Sequence, residues 1–244
     1  MRAVLTTLGI IIGIVSVTGM ATVVNGIEQG FENDISSLGT DVLYIEKWPW
    51  ARGPNTKWWE YINRPNLTEN LADALNERSQ STQQATAVVS TGRSLKSQTQ
   101  SISSASIKGV QPNYILVHQV DIEEGYFFSD FDNDGTRNVT VIGATIAEEL
   151  FPFGSALGKD LKIDGAKYRV VGVLVKEGQG SERANSGDSE VHIPFKSFKK
   201  QFGTRLRDVS IQTKILPGIL LADAKEEIRG VLRVARSLDA QEVD

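Results

Sequence analysis

The feature that most constrains this chain is the absence of any charge between Arg2 and Glu28. The intervening residues, Ala3 to Ile27, read AVLTTLGIIIGIVSVTGMATVVNGI. A charge at the centre of a bilayer costs ~2.5–3.5 kcal/mol on insertion scales, and a spanning helix takes about 20 mostly apolar residues. The run meets both conditions and reads as one membrane span. A cleaved signal peptide is the competing reading, with Gly19-Met20-Ala21 as its cleavage site. Signal cores run only about 7–15 apolar residues, so a retained anchor is expected. Arg2 ahead of the span, with Glu28, Glu32 and Asp34 behind it, places the N-terminus inside.

The helical pattern does not stop with the apolar run. Ile27, Phe31, Ile35 and Leu38 recur on one helical face, polar residues occupy the other faces, and Gly39 supplies a C-terminal stop. A helix over 3–38 would be on the order of 54 Å long, against ~30 Å of hydrocarbon. The surplus reads as a stalk whose apolar stripe seeks another helix. A break near Asn25-Gly26, followed by a separate amphipathic helix, is the alternative. Gly9 and Gly13, like Gly26 and Gly30, are small-residue pairs one turn apart, a spacing that permits close helix contact in lipid.

After residue 39 the pattern becomes that of a water-soluble α+β domain. Strands are expected at Asp41–Ile45, around Ala87–Val89, from Ile102 to Val110, and at Asn138–Gly143, Val170–Val175, Glu190–Phe195 and Asp208–Thr213. Helices are expected after Asn66-Leu-Thr-Glu69, where Asn66 or Thr68 would cap, at Ala144–Leu150, and from Ala222 to Arg236. Asp164-Gly165 between alternating residues marks a two-residue type I′ hairpin. Pro194 marks the edge or the end of a strand. Glu177 to Ser189 reads as a mobile Gly/Ser-rich loop. The first and last blocks look alike, which suggests one α/β subdomain built from both ends and interrupted by a β-rich insert at 120–203.

Composition excludes several functions. The 244 residues hold no Cys and carry a net charge of −4 without a basic block. Disulfides and Cys-ligated metals are therefore excluded, and nucleic acid is not an expected partner. Neither a Gly-x4-Gly-Lys-[Ser/Thr] phosphate loop nor a Gly-x-Ser-x-Gly elbow occurs. No catalytic, cofactor-binding or metal-binding residues are assigned, and the chain is not read as an enzyme. His118 and His192, in or beside strand-like sequence, read as structural. Asp130-Phe-Asp132-Asn-Asp134-Gly135 opens like a calcium loop, but the twelfth position is Val141 rather than Glu, so an Asp/Gly-rich turn is expected. Trp48, Trp50, Trp58 and Trp59 crowd one loop. They suit a membrane interface or a partner contact, or they cover the subdomain's own core. Two glycosylation sequons, Asn66-Leu-Thr68 and Asn138-Val-Thr140, are matches by pattern alone.

Arg2-Ala-Val-Leu-Thr-Thr-Leu-Gly-Ile-Ile-Ile-Gly-Ile14, followed by Leu38-Gly-Thr-Asp-Val-Leu43, resembles the start of MacB/FtsX-type ABC transporter permeases. Lys108-Gly-Val-Gln-Pro-Asn-Tyr114, Gly125-Tyr-Phe-Phe128, Val141-Ile-Gly143, Glu149-Leu-Phe151, Leu157-Gly-Lys159 and Val170-Val-Gly-Val173 extend the resemblance along nearly the whole chain. The resemblance implies a span and stalk at 1–39 and a Porter-like α/β subdomain from 40–119 and 204–244, the latter with the start of a return stalk. A Sabre-like β-rich insert would occupy 120–203.

The resemblance also implies a non-catalytic permease segment in the bacterial inner membrane, with its large domain periplasmic. It would pair with a cytoplasmic ABC ATPase, the user of ATP, and with a second permease copy. A periplasmic adaptor, lipoprotein or cell-wall hydrolase is the implied external partner. Ile27, Phe31, Ile35 and Leu38 would carry motion from ATP turnover outward. The alternative role is an FtsX-like signalling or scaffold domain acting on a hydrolase. The family pattern has four spans, and this chain reaches only the point where the second would begin, so it is expected to be a fragment.

Overall fold

A computed structural model of the chain describes residues 13–14, 17–20, 42–48, 59, 61, 64–176, 187–205 and 207–236. Nearly all of the expected span and stalk, including Gly9, Ile27, Phe31, Ile35 and Leu38, lies outside these residues. So do Trp50, Trp58 and most of the loop expected at 177–189. Residues 13–14 and 17–20 are helical and exposed, with the Thr18 hydroxyl donating to the Ile14 carbonyl at 2.7 Å. Among the described residues no helix is long and apolar enough to cross a membrane. The chain divides into Met1–Thr40 and Asp41–Asp244, and the second unit is described from here on.

Its elements run β1 (Val42–Ile45), α1 (Glu69–Arg78), β2 (Thr82–Lys96), β3 (Ser101–Val110), α2 (Tyr114–His118), β4 (Ile122–Gly125), α3 (Asp130–Asp134), β5 (Val139–Ile142), α4 (Ala144–Leu150), β6 (Asp160–Ile163), β7 (Ala166–Leu174), β8 (Glu190–Pro194), α5 (Phe195–Phe202), β9 (Val209–Ile215) and α6 (Leu221–Ala235). Among the described residues, nine strands form a single sheet in the order β1-β9-β2-β3-β8-β5-β7-β4, with β6 bridging β2 and β7. The strands of 40–119 and 204–244 make up one half of this sheet, and those of 120–203 the other.

The Ser/Thr/Gln-rich stretch after Arg78 folds as the sheet's spine. β2 pairs antiparallel with β9 through its first half, with β3 through its second, and with β6 at its end. The polar composition reflects a wet outer face: residues 82–96 alternate between buried and exposed towards their end, whereas Ala85, Ala87 and Val89 are fully buried on the core side. α1 and α6 cover that side, where Leu71, Ala72 and Leu75 share one apolar cluster with Ile228 and Leu232.

Side chains bind helices to strands. The Asn76 amide imitates a neighbouring strand, accepting from the Ala85 N–H at 2.7 Å and donating to the Ala85 carbonyl at 3.0 Å. Glu227 on α6 accepts from the backbone N–H groups of Gln80 at 2.6 Å and Ser81 at 2.9 Å, and from the Ser81 hydroxyl. This one carboxylate fixes α6 to the turn between α1 and β2.

Several local expectations are met and others are corrected. Asp164 and Gly165 have φ of 49° and 86°, as a type I′ turn requires, and they join β6 to β7 in register. β8 is not an edge strand. It is buried along its whole length between β3 and β5, and Pro194 ends it because proline brings no N–H to continue a ladder. Asn66 does not cap α1: its side chain accepts from Lys47 Nζ at 2.9 Å and donates to the Arg205 carbonyl at 2.9 Å. Thr68 holds the cap position without a side-chain bond. The Asp-rich segment 130–134 is a short helix rather than a turn. Ser129 and Asp132 cap it reciprocally, so the Asp132 carboxylate is committed to a helix end.

Gly109 on β3 lies under α5, and a Cβ there would sit 2.5 Å from Phe198 Cβ. Phe198 is fully buried and cannot move aside cheaply. Gly109→Ala is expected to destabilise the chain by about 2 kcal/mol, as overpacked cores do. The penalty should shrink in a Phe198→Ala background, and urea unfolding of the four-member cycle checks it.

Candidate functional site

Two places concentrate polar groups against apolar walls. The first is a groove of about 250 Å³ at the free end of the sheet, between β1 and α6. Leu43, Ile45, Ile228 and Leu232 line it, and Lys47, Arg64, Lys225, Arg229 and Arg236 bring five cations against the one carboxylate of Glu46. In a chain of net charge −4 this is a local reversal of sign. Burial and the neighbouring Asp208 push the Glu46 carboxyl up from its usual value, and Arg229 is paired with Glu226 at 2.6 Å.

β1 and α6 are the first and last described elements of the domain, so the groove lies where the chain enters and leaves it. Trp48 fastens this end. Its indole N–H donates to Asp208 Oδ1 at 3.0 Å, just ahead of β9, and its ring stacks on Tyr61 with centroids 6.3 Å apart. Of the other Trp residues in that loop, Trp59 is exposed. Gly13 has open space where a Cβ would be added.

The second place is the seam between β3 and β8, which run parallel with Lys108 level with His192. Lys108 Nζ lies 2.7 Å from Glu190 Oε1, and both Glu190 and His192 are almost completely buried. His192 Nε2 is 3.3 Å from Glu190 Oε2. A carboxylate only accepts, so Nε2 carries the proton, leaving Nδ1 buried without a hydrogen-bond partner. The Tyr114 ring meets the imidazole edge-on at 5.0 Å. Glu190 and His192 alternate in an otherwise apolar strand, the one sequence signal that they share a buried face. His118, by contrast, bonds Gln212 Oε1 at 2.5 Å. Both histidines sit in packed, hydrogen-bonded surroundings.

Burial holds His192 below the ordinary histidine value of 6.5, with Glu190 opposing in part. Burial also opposes the Glu190 charge, but His192 and Lys108 outweigh it and its carboxyl lies below 4.5. The unfolded chain therefore binds a proton near pH 6.5 that the folded chain refuses, so stability is complete above that pH and falls as pH drops below it. Glu190 adds a further loss below pH 4.5. The urea midpoint is expected to fall between about pH 7 and about pH 5.5. His192→Gln, which keeps a donor towards Glu190 but does not titrate, should flatten that interval.

Comparison with known proteins places this architecture. Residues 3–231 match the family model of the MacB-like periplasmic core domain. The chain is 32% identical over 223 residues to an uncharacterized ABC transporter permease, YknZ, of Bacillus subtilis, covering 88% of this chain and 52% of that protein. It is 29% identical over 212 residues to the macrolide export ATP-binding/permease protein MacB of Marinobacter nauticus, covering 86% of this chain and 32% of that protein. The chain thus spans about half or less of the length of these relatives. Among solved structures, the periplasmic region of MacB from Actinobacillus actinomycetemcomitans superposes with a TM-score of 0.66 at 20% identity, over 84% of this chain and 88% of that one. The extracellular domain of YknZ gives 0.63 at 21% identity, over 81% and 96%. The chain belongs to the MacB-like periplasmic core domain family.

Proposed function

We propose that this chain is a non-catalytic part of an ABC transporter permease, in which an extracytoplasmic domain turns movement of a membrane-anchored stalk into work outside the cell. One observation carries the reading. The first strand and the last helix of the domain line a common groove at one end of a continuous hydrogen-bonded sheet. A pull or rotation delivered through either chain segment would act on that end, and β9 and β2 would pass it to the far half. The stripe of Ile27, Phe31, Ile35 and Leu38 serves as the stalk's contact face, against the stalk of a second permease copy or the returning segment of its own chain. ATP is hydrolysed by a partner ATPase on the cytoplasmic side. An adaptor, lipoprotein or hydrolase outside is the recipient of the motion. The domain binds no cofactor in this scheme, because its role is mechanical.

In the full-length permease, Phe31→Asp and Ile35→Asp are each expected to uncouple ATP turnover from transport or extracytoplasmic work. Burying a carboxylate in an apolar contact costs at least about 2 kcal/mol. The fold of the domain should survive, which far-UV circular dichroism reads. Coupling that persists in both variants would reduce the stripe to ordinary packing and remove the reading.

A further inference from the structure

The two faces of the sheet are covered unequally. On one face α1 and α6 close over the large apolar cluster that reaches from Leu67 to Leu232. On the other, Val88, Val110, Val141, Val171 and Leu174 form a smaller cluster with Tyr114 of α2 and with Phe128, which follows β4. α2 is a slight cover. It has five residues, no side-chain bond at its N-cap Asn113, and Gln119 behind it at a φ of 50°, a region uncommon for residues other than glycine. A helix this short does not stand alone in water. The buried side chains of Tyr114 and Val117 hold it down.

His192 lies beneath this cover, with the Tyr114 ring against it and the Phe127 ring edge-on at 6.2 Å. Glu190 faces the imidazole from its own strand, and Lys108 joins Glu190 from β3. α2 brings the Tyr114 phenol, and His118 packs on that same ring at 4.4 Å. β5, the other neighbour of β8, brings no charge: Val141 is level with His192, and the Thr140 hydroxyl donates to the His192 carbonyl at 3.0 Å. These surroundings suit only a neutral ring. Nε2 already serves Glu190, so a second proton would go to Nδ1, which is buried and has no partner. A buried donor without an acceptor carries its full desolvation penalty. The new cation would also share the one Glu190 carboxylate with Lys108. Neither cost remains once water reaches the ring.

We propose that α2 and the Phe127–Phe128 segment form an acid-operated cover: protonation of His192 lifts them from the sheet and wets the small apolar cluster, while the large cluster on the opposite face stays closed. The lowered His192 value agrees with this, since acid favours whichever state admits water to the imidazole. Lifting bares Val110 and Val141, so the domain gains an apolar surface that is present only in acid. The cover would work in the same way whether or not the domain serves a transporter.

Amide exchange of the full chain in detergent, corrected for the intrinsic rate at each pH, reads the opening of each segment. At pH 7, residues 114–120 are expected to open at least about tenfold more often than residues 84–89 of β2. Between about pH 7 and about pH 5.5 the opening of 114–120 should rise about eightfold, the factor for an imidazole that titrates near 6.5 when wet and stays neutral when covered. His192→Gln should abolish the rise, and His118→Gln should leave it in place. Lys108→Gln, which removes the competing cation, should shrink it. Equal opening of the two segments at pH 7 would mean that α2 parts from the sheet only when the whole domain unfolds, and would overturn the proposal. A rise that survives His192→Gln, or that disappears with His118→Gln, would do the same. Should His192→Gln fail to fold, Lys108→Gln decides: an undiminished rise in that variant overturns the cover.

Discussion

The parallel pairing of β3 with β8 joins the two halves of the sheet. It runs over five residue pairs from Ser106–Glu190 to Val110–Pro194; among the described strands the short pairing of β6 with β2 supplements it, and α5 packs over β3. Parallel strands need a long connection before they can meet, and here roughly 80 residues, the whole β-rich half, lie between them. Lys108, Glu190 and His192 sit on this seam. A slip of one residue would turn Lys108 to the opposite face and strand the Glu190 carboxylate in the core, at a cost of several kcal/mol. The buried charges therefore oppose slippage of the seam and make its register sensitive to acid.

From that seam the rest of the domain follows. β2 extends the sheet towards β9 and β1, and α1 and α6 close over the apolar side. Asn76 and Glu227 tie each helix to β2 or its leading turn through backbone hydrogen bonds. Bonds to charged groups hold more firmly than neutral ones, so the Glu227 contact makes α6 move with the sheet rather than over it. A force applied at the groove end would thus meet a coupled assembly of helices and strands. This is the property that the proposed mechanical role requires.

Much of this was legible in the chain. Strand-like composition located β5, β7 and β9, and helical spacing of apolar residues located α1, α4 and α6. The type I′ hairpin followed from Asp164-Gly165 alone, since the turn's backbone demands φ > 0 at both positions. Where the reading fell short, a tertiary partner had outbid a local rule. Asn66 has the chemistry of a cap but is drawn to Lys47 and Arg205. Of the two readings of Pro194, an edge or a strand end, the second holds: β8 is central and only its final residue lacks a donor. α5 escaped notice although Phe195, Phe198 and Phe202 recur at helical spacing, since its eight residues are too short a window for the period to stand out.

By itself the sequence determined most strands, the helices at 69–78, 144–150 and 221–235, and the absence of phosphate-loop, elbow and cysteine chemistry, because these depend on neighbours a few residues apart. It also determined family membership through the order of short motifs along nearly the whole chain. Only the tertiary structure decided that both halves share one sheet, that Lys47 and Arg64 from the segment after β1 gather around one groove with Lys225, Arg229 and Arg236 from α6 and its end, and that Lys108 meets Glu190 across the seam. Such contacts join residues far apart in the chain, and no local period or propensity encodes which distant strand a given edge will meet.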